Sequence, residues 1–227
     1  MAAIKVGEVS ETEINIHKSV TTVQLASDDA WFAIPFFGAV MCGAGERGVK
    51  RILLMPLYPS TLKDRLNTLL SSPRRANVQE AMRLIMNTLA AIDALHQKTG
   101  VIHGDLKLDN IFVSPNDETH LSDFGLSTTR EQYDQADVPR VMATDYYDFI
   151  ENLISEHQDF AYQNEKPILA WLRDRRIIPP DITSIEKLYG LWSAQQAEPY
   201  RFTYYDPETG QHQSTMISRP PMLAVSS

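Results

Sequence analysis

The sequence predicts an α+β fold of two lobes, a small β-rich one at the N-terminus and a larger α-helical one after it. Three observations lead there. Two apolar runs, "WFAIPFFGAVMC" (31–42) and "GVKRILLMPLY" (48–58), flank the glycine-bearing "GAGERG", which is the pattern of a hairpin. A long amphipathic stretch, "NVQEAMRLIMNTLAAIDALHQKTG" (77–100), follows them. Beyond it, three more stretches read as helices and strand signals are few.

The elements follow in chain order. "AAIKV" (2–6) is a short strand candidate carrying one lysine. "SETEINIHKSV" opens on Ser10 with Glu13 three residues later, a capping-box spacing that starts a helix because each side chain satisfies an otherwise orphaned N–H. After the first hairpin, Met82, Ile85, Leu89, Ile92 and Leu95 or His96 recur at helical spacing, and Gly100 supplies the stop. "IFVS" and "THLSDF" flank "PNDE" and predict a second, shorter hairpin. "ATDYYDFIENLISEH" and "KPILAWLRDRR" read as helices, Pro179–Pro180 interrupts, and "SIEKLYGLWSAQQ" resumes. "RFTYYDPETGQHQSTM" predicts a hairpin around Asp206–Gly210, followed by a loose tail. The resulting division is 1–58, 59–196 and a C-terminal extension, 197–227.

Composition excludes several classes. At 227 residues, 43% hydrophobic and 22% charged, the chain suits a globular protein that buries a core. A net charge of −8 disfavours a nucleic-acid partner, since no basic field offsets phosphate repulsion. Cys42 is the single cysteine, so no disulfide framework exists, and the expected setting is cytoplasmic or another reducing intracellular compartment. No apolar run is long enough to span a bilayer, and no secretory signal opens the chain.

The chemistry concentrates in "VIHGDLKLDNIFV" (101–113). Here Asp105, Lys107, Asp109 and Asn110 crowd against an apolar run, and buried charge is costly unless it is paired or hydrogen-bonded. Thirteen residues after Asn110 stands Asp123–Phe124–Gly125. Each motif alone is an ordinary turn; together, after a long helix and with a short hairpin between them, they resemble the catalytic loop and metal-binding motif of eukaryotic-type protein kinases. Catalysis in that family is mostly positioning and charge stabilisation around ATP and magnesium.

The resemblance implies a role for each residue. Asp105 would accept or orient the proton of the acceptor hydroxyl, and Lys107 would offset charge on the transferred phosphate. Lys107, two residues after Asp105, points to serine/threonine acceptors on a protein substrate. Asn110 and Asp123 would hold magnesium through oxygen. Met55 would be the gatekeeper, the Pro56 carbonyl and Tyr58 N–H would face the adenine edge, and Phe112 would lie beneath the ring. His103, Phe124 and Gly125 would support the loop. Asp145, in "TDYYDFIENLI", would brace it, with a solvated helix N-cap as the competing role. Residues 1–58 then form a partial kinase N-lobe and hinge, and 59–196 the C-lobe. Lys5 is the candidate for the strand lysine on the ATP phosphates, with Glu13 its partner and Glu11 a weaker match; the competing reading of Lys5 is a flexible basic residue.

Three departures from the family pattern shape the expectations. No glycine-rich loop precedes "AAIK", so the N-lobe reads as reduced or truncated. Gly104 stands where the family usually has arginine, and that arginine commonly pairs with a phosphate on the following segment. The segment from Gly125 to Asp145 is short and lacks an Ala–Pro–Glu anchor; its Ser127, Thr128, Thr129 and Tyr133 read as exposed loop hydroxyls, with phosphorylation as the competing reading. ATP-dependent phosphoryl transfer to a protein serine/threonine hydroxyl is the expected function. The alternatives are a pseudokinase or scaffold, suggested by the incomplete N-lobe, and a small-molecule kinase of the aminoglycoside or choline type, suggested by Gly104 and the short segment.

Overall fold

The computed structural model describes residues 2–7, 9–27, 31–45, 48–72, 74–196, 198–206 and 209–217, with backbone alone at 2–7, 42–45, 48–50 and 196. The chain forms two compact units, Met1–Val101 with Leu108–Ser127 and Ile102–Lys107 with Thr128–Ser227. The elements are a small antiparallel sheet in the N-terminal part and a helical C-terminal part, as an α+β reading requires.

In the first unit, β1 (Ala2–Gly7) is followed by α1 (Glu11–Leu25). Ser10 caps α1 by accepting from the Glu13 N–H at 3.0 Å. β2 (Gly38–Gly45) and β3 (Gly48–Pro56) form the expected hairpin, and β1 adds antiparallel to β3 with Lys5 opposite Leu53, giving the order β1-β3-β2. The strand does not begin at Trp31, as the apolar run suggests, but at Gly38. Pro35 has no N–H to give a ladder, and the backbone around it is held by side chains of α1 and, at Phe32 and Ile34, by the backbone of Leu121. Gln24 Oε1 accepts from the N–H groups of Phe32 (2.9 Å) and Ala33 (2.7 Å), Thr21 Oγ1 accepts from Phe36 N–H (2.8 Å), and His17 Nε2 bonds the Ile34 carbonyl (2.7 Å). Val9, Ile34, Leu53 and Met55 form the buried cluster there, with Ile14, Phe36, Tyr58 and Phe112 against it.

The same unit continues through β4 (Ser60–Thr61) and α2 (Leu62–Leu70), whose capping box joins Thr61 and Asp64. Its buried face is Leu62, Leu66 and Leu69. α3 (Arg75–Thr99) is the long helix, ended by Gly100 at φ 67°, a left-handed cap that a side chain would strain. Ile85, Leu89, Ile92 and Leu95 are fully buried, each worth about 1.5–3 kcal/mol relative to exposure. After β5 (Val101–Ile102), the strands β6 (Ile111–Val113) and β7 (Thr119–Leu121) pair with β4 in the order β4-β6-β7. The β6–β7 turn is pinned by Asp117, whose carboxylate takes Arg65 and Arg83.

The second unit holds β8 (Thr128–Thr129), α4 (Val138–Gln163, kinked at His157), α5 (Glu165–Asp174) and α6 (Ile185–Gln196). β9 (Tyr200–Asp206) and β10 (Gln211–Ile217) close as the expected terminal hairpin, with Tyr200 opposite Ile217. A two-stranded hairpin is marginal alone; this one is anchored. Tyr200 is fully buried in a cluster with Ile102, Tyr133 and Val141, and Tyr133 bridges Phe202 antiparallel. Arg140 lies over the Tyr200 ring at 4.0 Å and donates to the carbonyls of Gln195, Glu198 and Pro199 and to Asp137 Oδ1. Among the described residues, no helix is long and apolar enough to cross a membrane.

Candidate active site

The stretch Ile102–Lys107 is fixed by one carboxylate. Asp145 lies inside α4, seven residues past its start, so a helix N-cap is not its place. It is fully buried, as is His103. Asp145 Oδ2 accepts from the His103 N–H at 2.8 Å and Oδ1 from the Gly104 N–H at 2.9 Å. Two backbone donors on one carboxylate are what makes a buried charge tolerable. Gly104 itself sits at φ 78°, the left-handed region where a Cβ is unfavourable, so glycine at this position suits the backbone that Asp145 holds. Beyond it, the Asp105 N–H approaches His103 Nδ1 at 3.4 Å, and Lys107 Nζ pairs with Asp105 Oδ2 at 2.8 Å. That pair is partly exposed (31% for Asp105, 43% for Lys107), so both groups remain open to a molecule from solvent.

Within the first unit, Asn110 closes a single helical turn, Leu108–Asn110, and is buried. Its carbonyl accepts from the Ser122 N–H at 3.0 Å, which ties it to the chain just before Asp123. Asp123 adopts φ 66°, ψ 69°, a conformation that costs a non-glycine residue of order 1 kcal/mol and clusters at functional sites. Phe124 is buried, its ring 5.2 Å from that of His17. A Cβ on Gly125 would lie 3.3 Å from Asp123 Oδ1 and 3.4 Å from Glu13 Oε2. The turn therefore has little room for a side chain, and the buried Glu13 of α1 comes to the same spot as Asp123. Glu11, by contrast, is exposed. The backbone of Lys5 is placed in β1, while its side chain lies outside the described residues.

A cavity of about 330 Å³ opens beside Asn110 and Asp123, which both line it. Met55, Pro56 and Tyr58 line it at the end of β3, and Phe112 on β6. Asp109 and Ser122 line it too, so an apolar wall faces a polar one made of Asp109, Asn110, Ser122 and Asp123. The Tyr58 phenol is pushed up to about 12, first by burial and then by the Glu118 charge, so it is a neutral wall at physiological pH. Asp109 at the rim of the cavity is half-exposed and also faces Lys63 at 3.7 Å.

The segment after Gly125 differs from expectation. Ser127, Thr128 and Tyr133 are buried rather than exposed. Thr128 Oγ1 and Tyr133 Oη share a hydrogen bond at 3.1 Å, and Thr129 forms a capping box with Gln132. Burial, the largest cause, raises the Tyr133 phenol to about 12; the Thr128 bond lowers it and the Asp145 charge raises it further. Thr128, Thr129 and Tyr133 thus spend their hydroxyls within the segment, which composition does not reveal because it records residue types and not their pairing.

Known proteins share this arrangement in sequence. The model of the protein kinase domain matches residues 41–163, more than half of the chain. The chain belongs to the protein kinase family. The match opens in β2 and runs to the end of α4, so it includes the loop, the Asp123–Phe124–Gly125 turn and Asp145. Among relatives, a probable serine/threonine-protein kinase KIN1 homolog of Encephalitozoon cuniculi is 45% identical over 49 residues, 22% of this chain and 8% of that protein. The eIF-2-alpha kinase GCN2 of Schizosaccharomyces pombe is 43% identical over 56 residues, 25% of this chain and 4% of that one. The probable serine/threonine-protein kinase WNK9 of Oryza sativa subsp. japonica is 38% identical over 61 residues, 26% and 15%. The matched stretches span less than a sixth of each of these relatives.

Proposed function

We propose that this kinase domain transfers the terminal phosphoryl group of ATP to a serine or threonine hydroxyl of a protein, with magnesium. The observation that carries the reading is the cavity lined at once by Met55, Pro56, Tyr58 and Phe112 and by Asn110 and Asp123. A planar base suits the apolar residues, with the Pro56 carbonyl and Tyr58 N–H along its edge. Among the described residues there is no cluster of three or more His, Cys, Asp or Glu. The amide of Asn110 and the carboxylate of Asp123 fit magnesium, which takes one or two protein oxygens and fills its octahedron with water and phosphate. Held by Asn110 and Asp123, the ion would neutralise charge on the phosphate oxygens.

The chain's own groups supply the rest. Asp105 orients the acceptor hydroxyl and takes its proton, and Lys107, already 2.8 Å from it, balances charge as the phosphoryl group moves. Asp145 fixes the backbone of His103 and Gly104, and so aims Asp105. Phe124 and Gly125 hold Asp123 in its turn. Lys5, paired with Glu13, holds the phosphates from the partial N-lobe and hinge, residues 1–58, and residues 59–196 are the C-lobe. The test is transfer from labelled ATP with magnesium to protein acceptors by the purified chain. Asp105→Asn, folded by its thermal melt, loses at least about a hundredfold of the rate; transfer that survives this change sinks the assignment. Stabilisation of the melt by ATP and magnesium that Asp123→Asn leaves intact removes Asp123 from the metal site, and no stabilisation at all favours a scaffold.

One observation favours a second reading. Tyr133, on the segment that would offer an edge to an extended peptide, is paired with the chain's own Phe202. A small alcohol as acceptor is compatible with that occupied edge, so aminoglycosides and choline belong in the same assay. Phosphorylation of these and of no protein decides for the small-molecule reading.

A further inference from the structure

We propose that the cavity beside the β6–β7 turn is a second ligand site and that it takes an alkylammonium group. The cavity measures about 400 Å³, within the range of small-ligand pockets (~300–1,000 Å³). Trp31, Leu57, Tyr58, Glu118 and His120 line it. It shares the stretch Pro56–Tyr58 with the candidate active site, but Asn110 and Asp123 do not line it. The two are separate cavities on one strip of chain.

The chemistry of the walls selects the ligand. Three rings are present, and those of Tyr58 and His120 meet at 5.0 Å between centroids and 50° between planes, forming a corner. The one charge is Glu118. Its backbone is held by Ser114 at both ends, N–H to Ser114 Oγ and carbonyl from Ser114 N–H, yet among the described residues nothing hydrogen-bonds or ion-pairs with its carboxylate. Its neighbour Asp117 is fully engaged by Arg65 and Arg83, so the contrast is local. His120 is 5% exposed, and its Nδ1 is buried without a partner among the described residues. Burial lowers the His120 pKa against the opposing charge of Glu118, which leaves the ring neutral and offers no competing cation. Lys98 lines the adjoining cavity of about 580 Å³ with Trp31 and Glu118, but its ammonium leans over the Phe32 ring and reaches Ser27 Oγ.

Other ligand classes fit poorly. A hard metal ion wants several oxygen ligands, and one carboxylate among rings does not supply them. An anion meets Glu118. An alkylammonium satisfies both features, its charge on Glu118 and its methyl or methylene groups on the ring faces, and the net charge of −8 draws it in.

The test is a binding measurement and so stands apart from phosphoryl transfer. Tetramethylammonium chloride and lysine amide are titrated separately into the full chain, following the Trp31 indole N–H by NMR, with sodium chloride at matched ionic strength as control. A saturable shift with either probe, weakened about tenfold in Glu118→Gln (about 1.4 kcal/mol), supports the site. Tighter tetramethylammonium marks a small quaternary amine as the source, and tighter lysine amide marks a lysine side chain. Shifts that do not saturate and are reproduced by sodium chloride overturn the site, as does undiminished binding by a folded Glu118→Gln.

Discussion

Replacing Asp145 with asparagine isolates the carboxylate that holds the loop of His103 and Gly104. The substitution preserves shape, so what it changes is charge and one acceptor. Asp145 takes the His103 and Gly104 N–H groups at 2.8 and 2.9 Å with its two oxygens, and the site is fully buried. Asparagine keeps one acceptor, now neutral, and turns an NH₂ toward the other N–H. A hydrogen bond to a charged partner is worth about 1.5–3 kcal/mol, and an orphaned buried donor costs about 1–3 kcal/mol. Losing one such bond and weakening the other gives a loss of about 2–4 kcal/mol, a large share of the ~5–15 kcal/mol that holds a domain folded. At about 2–4 °C per kcal/mol for a chain of this size, the melt falls by roughly 5–15 °C. Calorimetry measures the shift, and hydrogen exchange reads the two amides directly. A variant that melts within about 1 °C of the parent, with the His103 and Gly104 amides as slow to exchange as before, refutes the bracing role.

Three further outcomes are expected. Gly104→Arg, which restores the residue usual in kinases, lowers stability by about 1–2 kcal/mol because φ is 78° and a Cβ there meets the carbonyl; urea denaturation measures it, and an unchanged midpoint contradicts the strain. His120 has a pKa below the ordinary 6.5 in the folded chain. Above pH 6.5 it is neutral in both states; below it the unfolded chain takes up the proton first, so stability falls as the pH drops through that window. In His120→Gln that part of the decline disappears, as urea midpoints between neutral pH and about pH 5 test. Arg140→Ala removes four hydrogen bonds and the stack on Tyr200, at a cost of about 2–4 kcal/mol, and Arg140→Lys recovers little because an ammonium lacks the planar fork. Faster exchange of the amides in β9 locates the loss.

Elements governed by neighbours in sequence were legible in the sequence. Ser10 and Glu13 start α1, and Gly100 ends α3 in the left-handed region that its lack of a side chain invites. Both early hairpins and the one at Asp206–Gly210 follow from apolar runs broken by turn residues. The run 31–42 misled because periodicity records only that a segment is apolar and buried. Its backbone divides its bonds among Gln24, Thr21 and His17 on a helix, Leu121 of β7 and Leu54 of β3, and partners so far away in sequence leave no periodicity to read.

The same limit separates what was and was not readable in the site. Asp105, Lys107, Asn110 and Asp123 stand within one motif pair, so the family resemblance that pair carries marked them as candidates. Asp145 is 42 residues from His103 and 41 from Gly104, and only its two backbone bonds distinguish a brace from a cap. Gly104 illustrates the converse. By resemblance it is a missing arginine; by backbone geometry it is the residue type best suited to φ 78°. The two descriptions are compatible, because an arginine at that position would have to pair with a partner to offset the strain it introduces. Here the hydroxyls that a phosphate-dependent contact would draw on are buried at Ser127, Thr128 and Tyr133, and the terminal hairpin holds Tyr133 through Phe202 instead. A segment already tied down by packing has no need of a charged latch, and that removes the physical reason to keep the arginine.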